Sequence, residues 1–217
     1  MVLDKKIIKS REVIREAFAR WEPNIGIAFS GGKDSLAILG LVREMYGCIP
    51  CTAMFNDTTQ LFPETYNYVD KLVEQWGLEL VLATPIFCYE DVEGERENCC
   101  WALKIEPSEW TMETEEWKAC LVGIRWDEHP ERSQEEYFSE RENGIWRVHP
   151  ILHWTEKEVW AYIKEQGFPY NPLYDKGYRS IGCTPCTIPI SEDEAERAGR
   201  SQDKEEIMSR LRGWGYW

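Results

Sequence analysis

The run Ile25-Gly26-Ile27-Ala28-Phe29-Ser30-Gly31-Gly32-Lys33-Asp34-Ser35-Leu36 decides how this chain is read. A short apolar stretch suits a strand, paired glycines break it, and Leu36, Ile38, Leu39, Leu41 and Val42 continue as a helix. Strand, glycine loop and helix together open a parallel α/β unit. The glycines let backbone N–H groups approach an anion, and the helix starting near Asp34 turns its positive end toward it. Ser30 and Ser35 add hydroxyl donors, and Lys33 adds charge. The spacing is not Walker A, whose longer loop ends in Gly-Lys. The plainer alternative is a tight turn whose glycines serve geometry alone.

Outward from this loop the α/β alternation continues. Asp4 to Arg20 carries Ile7, Ile8, Val13, Ile14, Ala17 and Phe18 on one helical face. Cys51 to Phe55, Leu78 to Ala83, Ala119 to Gly123 and Trp146 to Pro150 read as strands. Helices are expected from Pro63 to Trp76, with proline in the first turn, and from Thr155 to Gln166, where Thr155 and Glu158 form a capping box. The fold class is therefore α/β, a doubly wound parallel sheet with ligands at the carboxyl ends of its strands. Residues 1–190 are read as the nucleotide-binding domain and 191–217 as a helical tail. The least regular stretches, 85–110 and 167–190, each hold a cysteine pair.

Composition narrows the function. The 217 residues carry 25 Lys+Arg against 39 Asp+Glu, a net charge of −14, which opposes broad binding to nucleic acid. A small phosphorylated ligand in one basic pocket is still compatible with that charge. No run of about 18 apolar residues suggests a membrane span, and the first residues lack a secretory signal, so a cytoplasmic protein is expected. The 8 cysteines are then read as metal or redox chemistry rather than disulfides.

Cys99-Cys100 and Cys183-Thr184-Pro185-Cys186 form the informative pairs. Adjacent cysteines point apart and suit one tetrahedral zinc poorly, whereas the separate irons of a cubane can each take one thiolate. Structural zinc and free thiols remain as alternatives. Cys48-Ile49-Pro50-Cys51 has no matching second pair and reads as ordinary buried cysteine or as a redox motif; Cys88 and Cys120 carry no motif.

With these residues in view, the chain resembles the PP-loop adenine-nucleotide α-hydrolases, whose loop reads Ser-Gly-Gly-x-Asp-Ser. Asn56-Asp57-Thr58, Leu61 to Thr65, Trp146 to Pro150, Trp154 to Glu156, Tyr170 to Tyr174 and Gly177 to Cys183 are similar to its sulfate-assimilation branch. That branch includes phosphoadenylyl-sulfate reductase, adenylyl-sulfate reductase and the small subunit of sulfate adenylyltransferase. By resemblance to the adenylyl-sulfate reductases, Cys99, Cys100, Cys183 and Cys186 would hold a [4Fe-4S] cluster, and Lys104 would lie between cluster and substrate.

Within the branch the resemblance divides. The reductases use a tail cysteine in Glu-Cys-Gly-Leu, and this sequence has no cysteine after Cys186. Its Arg197-Ala198-Gly199-Arg200 and terminal Gly215-Tyr216-Trp217 resemble the adenylyltransferase subunit instead, as does Gly123 to Glu128. The favoured expectation is accordingly transfer of an adenylyl group from Mg²⁺-bound ATP to a small anion, sulfate by resemblance, with a GTPase partner. Lys33 would stabilise departing pyrophosphate, while Arg125 and Arg200 would hold the acceptor or the α-phosphate. Asp57 is a candidate for Mg²⁺ or a ribose hydroxyl, and Asp34 for the metal or the helix cap. Arg197 and Arg200 read alternatively as exposed ion pairs, and His149 as a packed residue. The other functional readings are reduction of adenylyl or phosphoadenylyl sulfate with a thioredoxin-like partner, ATP-driven sulfur insertion into nucleic acid, and a non-enzymatic sensor. Self-association is left open.

Overall fold

A computed structural model describes residues 3–92, 94 and 96–216; Trp217 of the terminal motif lies outside them. Strands β1 (Ile25–Phe29), β2 (Ala53–Asn56), β3 (Leu80–Ala83), β4 (Ala119–Leu121), β5 (Phe138–Glu140) and β6 (Trp146–Val148) form one sheet in the order β3-β2-β1-β4-β6-β5. All neighbours are parallel except β5 and β6. The doubly wound α/β expectation holds, with one antiparallel edge strand added. Only residues 141–145 join β5 to β6, too few for a crossover, so the pair must close as a hairpin. Phe138-Ser139-Glu140 is too short to show strand alternation in sequence.

Helices α1 (Leu3–Trp21), α2 (Lys33–Tyr46) and α3 (Pro63–Trp76) cover the sheet. From Arg96 to Thr114, much of it a stretch with no clear pattern in sequence, the chain is helical throughout. It runs as α4 (Arg96–Cys100), a π-helical turn (Trp101–Ile105) and α5 (Glu106–Thr114). Pro107 explains the wide turn: it has no N–H for the Leu103 carbonyl, and its ring would collide with that carbonyl in a regular α-helix. The Glu106 N–H reaches back to the Trp101 carbonyl instead. Helix α6 (Glu156–Gln166) opens on the expected Thr155–Glu158 capping box. The tail forms α7 (Gln202–Glu206) and α8 (Met208–Gly213).

Ile25, Ile27 and Phe29 of β1 lie in the main core with Ile14, Phe18, Leu36 and Leu39, all buried. A second cluster joins Met208 and Leu211 of the tail to Cys100, Ile105, Ile124 and Leu152. Each fully buried side chain of this size contributes about 1.5–3 kcal/mol, so the tail is fastened over the strand ends. No helix among the described residues is long and apolar enough to cross a membrane.

His149, at the end of β6, is fully buried, with Nδ1 3.4 Å from the Val122 carbonyl oxygen and Nε2 3.9 Å from Glu135. Burial pushes its pKa down to about 3, against the pull of Glu135 and with Arg141 and Arg147 adding to the fall. The folded chain therefore keeps His149 neutral where the unfolded chain takes up a proton. Stability should fall as pH drops from about 6.5, by at most about 1.4 kcal/mol per pH unit from this group. Urea unfolding between pH 7 and 4 should show a shallower slope in His149→Gln than in the parent. Equal slopes would assign the acid limb to other groups.

Candidate functional site

The sheet order reverses between β1 and β4, and the crevice outside their carboxyl ends is where such folds bind ligands. The Ser30–Ser35 loop leaves β1 there, and Gly123 follows β4 on the facing side. A Cβ on Gly123 would stand 2.8 Å from the Asp34 backbone carbon, so only glycine permits this approach to the start of α2. A cleft of about 230 Å³ opens at this point. Ser30, Gly32, Lys33, Asp34, Ser35, Asn56, Lys104, Arg132, Arg197 and Arg200 all line it. Several cations thus meet in one crevice of a protein whose net charge is −14.

Most of these cations are already paired. Lys33 is buried, its ammonium bonded to Glu196 and, at 3.1 Å, to Asp34. Burial would lower its pKa, but the two carboxylates outweigh it and the net direction is up. Arg125 is fully buried, with Asp34, Asp127 and Glu196 each at 2.6 Å. It stands behind the cleft, its guanidinium filled by carboxylates. Arg197 forks onto Glu205 at 2.6 and 2.7 Å and also meets Glu128, which pairs with Arg132. Arg197 is therefore a buried network member rather than an exposed ion pair.

Arg200 differs. It is 8% exposed, no carboxylate pairs with it among the described residues, and its buried Nε has no hydrogen-bond partner. A Cβ on Gly182 would overlap its guanidinium at 2.3 Å, so glycine there makes room for it. Lys104, half-buried within the π turn, likewise has no carboxylate partner among the described residues; its ammonium lies 5.9 Å from the Tyr216 ring centroid. Lys204, buried in α7, donates to Tyr216 Oη. Burial would raise both the Cys183 thiol and the Tyr216 phenol, yet Lys104, Lys204 and Arg200 bring each down to about 7. These three residues form a centre of positive charge.

The cysteine pairs flank that centre. Cys100, Cys183 and Cys186 are buried and Cys99 is half-buried, and both Cys183 and Cys100 act on the Lys104 ammonium. Thr58 Oγ1 lies 3.4 Å from Cys183 Sγ. Among the described residues no three His, Cys, Asp or Glu side chains converge closely enough for a single metal ion. A larger anionic cluster is another matter: Cys100 and Cys183, one from each pair, act on Lys104, and Cys100 also on Lys204, and neither ammonium has a carboxylate partner among the described residues, a setting whose charge suits such a cluster.

Asp57 is not among the cleft-lining residues; its Oδ1 accepts from the Thr59 N–H at 2.8 Å and from Tyr66 Oη at 2.6 Å, holding the turn after β2. Nothing in the sequence marks Glu196 or Lys204, and Tyr174 and Tyr216 stand out there only as members of motifs. Glu196 is one acid among several in 191–197, and nothing in that run distinguishes it.

A glycine loop after β1, at the switch point of such a sheet, is the arrangement of the PP-loop proteins. The model of the phosphoadenosine phosphosulfate reductase domain matches residues 24–189, and the chain belongs to that family. It is 33% identical over 202 residues to adenosine 5′-phosphosulfate reductase of Halalkalibacterium halodurans, covering 88% of this chain and 86% of that one. The phosphoadenylyl-sulfate reductase structure from Candida auris superposes with a TM-score of 0.68 at 26% identity, covering 83% of this chain and 90% of that one. FMN adenylyltransferase of Candida glabrata shares the fold alone, with a TM-score of 0.69 at 20% identity over 88% of this chain and 67% of that one.

These relatives overturn the adenylyltransferase expectation, and with it go the support for Mg²⁺-ATP and for a GTPase partner. The tail motif and the lack of a cysteine after Cys186 are what favour the adenylyltransferase in the sequence. The tail arginines, however, sit in the same cleft as Lys104, where an anionic substrate of either kind would need them.

Proposed function

We propose that this chain is a sulfonucleotide reductase, acting on adenylyl sulfate or its 3′-phosphorylated form and releasing sulfite and a nucleotide. The observation that carries it is the pair of cleft cations without carboxylate partners, Lys104 and Arg200. A phosphosulfate group supplies the anion they lack. The relatives' names favour adenylyl sulfate. Residues 1–190 serve as the nucleotide-binding body in this reading, and 191–217 complete its site with Arg200.

Cys99, Cys100, Cys183 and Cys186 would hold a [4Fe-4S] cluster, whose chemistry when bound is that of a compact anion balancing Lys104 and Lys204. Among the remaining cysteines, burial holds the Cys120 thiol up at about 11 and Cys51 at about 12. Cys51 also precedes β2, a strand's length of about 13 Å from the carboxyl ends. Among the described residues no cysteine lines the cleft, the exposed Cys48 and Cys88 included, so the nucleophile is assigned to an external dithiol of the thioredoxin class. One thiolate attacks sulfur, an S–S bond forms, the S–O bond breaks, and AMP leaves with the electron pair. The second thiol closes a disulfide, passes its proton to solvent and expels sulfite. Lys104 and Arg200 hold the sulfonate and phosphate oxygens throughout.

Anaerobic protein incubated with labelled adenylyl sulfate and reduced thioredoxin should yield sulfite, AMP and disulfide in equal amounts. Absence of sulfite from both sulfonucleotides would sink the reading.

A further inference from the structure

Three of the glycine loop's N–H groups and its nearby positive charge are engaged by the chain itself. Ser35 Oγ accepts the Ser30 N–H at 3.2 Å, Ser30 Oγ the Gly32 N–H at 3.4 Å, and Tyr174 Oη the Lys33 N–H at 2.8 Å. Both buried cations behind the loop, Lys33 and Arg125, are held by carboxylates. Asp34 is local to the loop. Glu196 reaches in from the tail, 163 residues away from Lys33 in sequence, and sets both oxygens 2.6 Å from Arg125 Nη2. Its side chain is only 10% exposed. A carboxylate so placed does what a bound phosphate oxygen pair would do, meeting a lysine and a guanidinium at once. A pyrophosphate brought to this loop would find its cations already neutralised and buried negative charge beside it.

We propose that Glu196 is a built-in counter-anion that closes the glycine loop to pyrophosphate and to any further phosphate. The substrate is then a nucleotide with a single anionic tail, directed to Lys104 and Arg200. The identity of that substrate rests on the reductase reading; the exclusion is a property of the loop and stands separately.

The test uses the full chain and three probes, AMP, ATP and inorganic pyrophosphate, titrated by calorimetry in magnesium-free buffer. The parent should bind AMP at least about tenfold more tightly than ATP and show no pyrophosphate binding at millimolar concentration. Glu196→Gln keeps the shape and removes the charge, and should shift the ATP-to-AMP affinity ratio at least about tenfold toward ATP while making pyrophosphate binding measurable. Glu196→Ala should do the same, and thermal unfolding identifies a variant that fails to fold. Equal AMP and ATP affinities in the parent, or an unchanged ratio in folded Glu196→Gln, would overturn the proposal. Sulfite release is scored on the same preparations. A shifted ratio without sulfite removes the reductase and leaves the counter-anion; sulfite with an unshifted ratio does the reverse.

Discussion

Replacing Arg200 with alanine should lower kcat/KM for sulfite release by about 10²–10³-fold, the range seen when one preorganised donor to developing negative charge is removed. Arg125, Arg132 and Arg197 spend their guanidinium groups on carboxylates, whereas Arg200 faces the cleft without one. The phosphate of the departing AMP gains charge as the S–O bond breaks, so an arginine beside it acts most strongly in the transition state. Arg200→Lys keeps the charge but loses the fork, and a loss of about tenfold is expected. Lys104→Ala should match Arg200→Ala, with the fall in kcat exceeding the rise in KM. Thermal unfolding controls for tail detachment. An Arg200→Ala rate within about threefold of the parent would remove this residue from the site.

The second large effect concerns metal content. Anaerobically prepared protein should carry iron and sulfide with broad visible absorbance, and Cys→Ser at any one of Cys99, Cys100, Cys183 or Cys186 should abolish most of both. The variants should also unfold at lower temperature. Without the cluster's charge, Lys104 and Lys204 confront each other in the interior, and that repulsion already lowers the Lys204 pKa after burial has done so. Stoichiometric zinc with no sulfide in the parent would defeat the assignment.

Much of the fold was legible because parallel strands and amphipathic helices repeat their periods over several residues. Ile25–Phe29 and Pro63–Trp76 appear with the bounds read from sequence. The helix from Arg96 was obscured because Pro107 and the adjacent cysteines resemble loop chemistry, and β5 has only three residues. At the site, the loop could be picked out by residue type, since paired glycines let an anion approach the backbone, whereas Lys104 and Arg200 stand out in the sequence only by resemblance. Which cations stay unpaired could not be picked out. Arg125 and Arg200 look alike in a sequence; what separates them is that Asp34, Asp127 and Glu196 fold onto one and not onto the other. The functional choice failed for a related reason, since a loop motif records its shape but not whether Glu196 has already filled it.

The π turn at Trp101–Ile105 holds one residue more than an α-helical turn, and so fixes how α5 is placed relative to the Cys99–Cys100 end. With this placement, Asn56 Nδ2 meets Ser108 Oγ at 2.8 Å and the Lys104 carbonyl at 2.9 Å, which ties the helix to the end of β2. Removing one residue between Trp101 and Ile105 would leave every cysteine in the chain yet close the wide turn and draw Ser108 away from its place opposite Asn56. The Cys99–Cys100 end and the carboxyl end of β2 are thus coupled through the shape of this turn as well as through contact. A natural or engineered length change in this short turn would uncouple them as surely as losing a ligand.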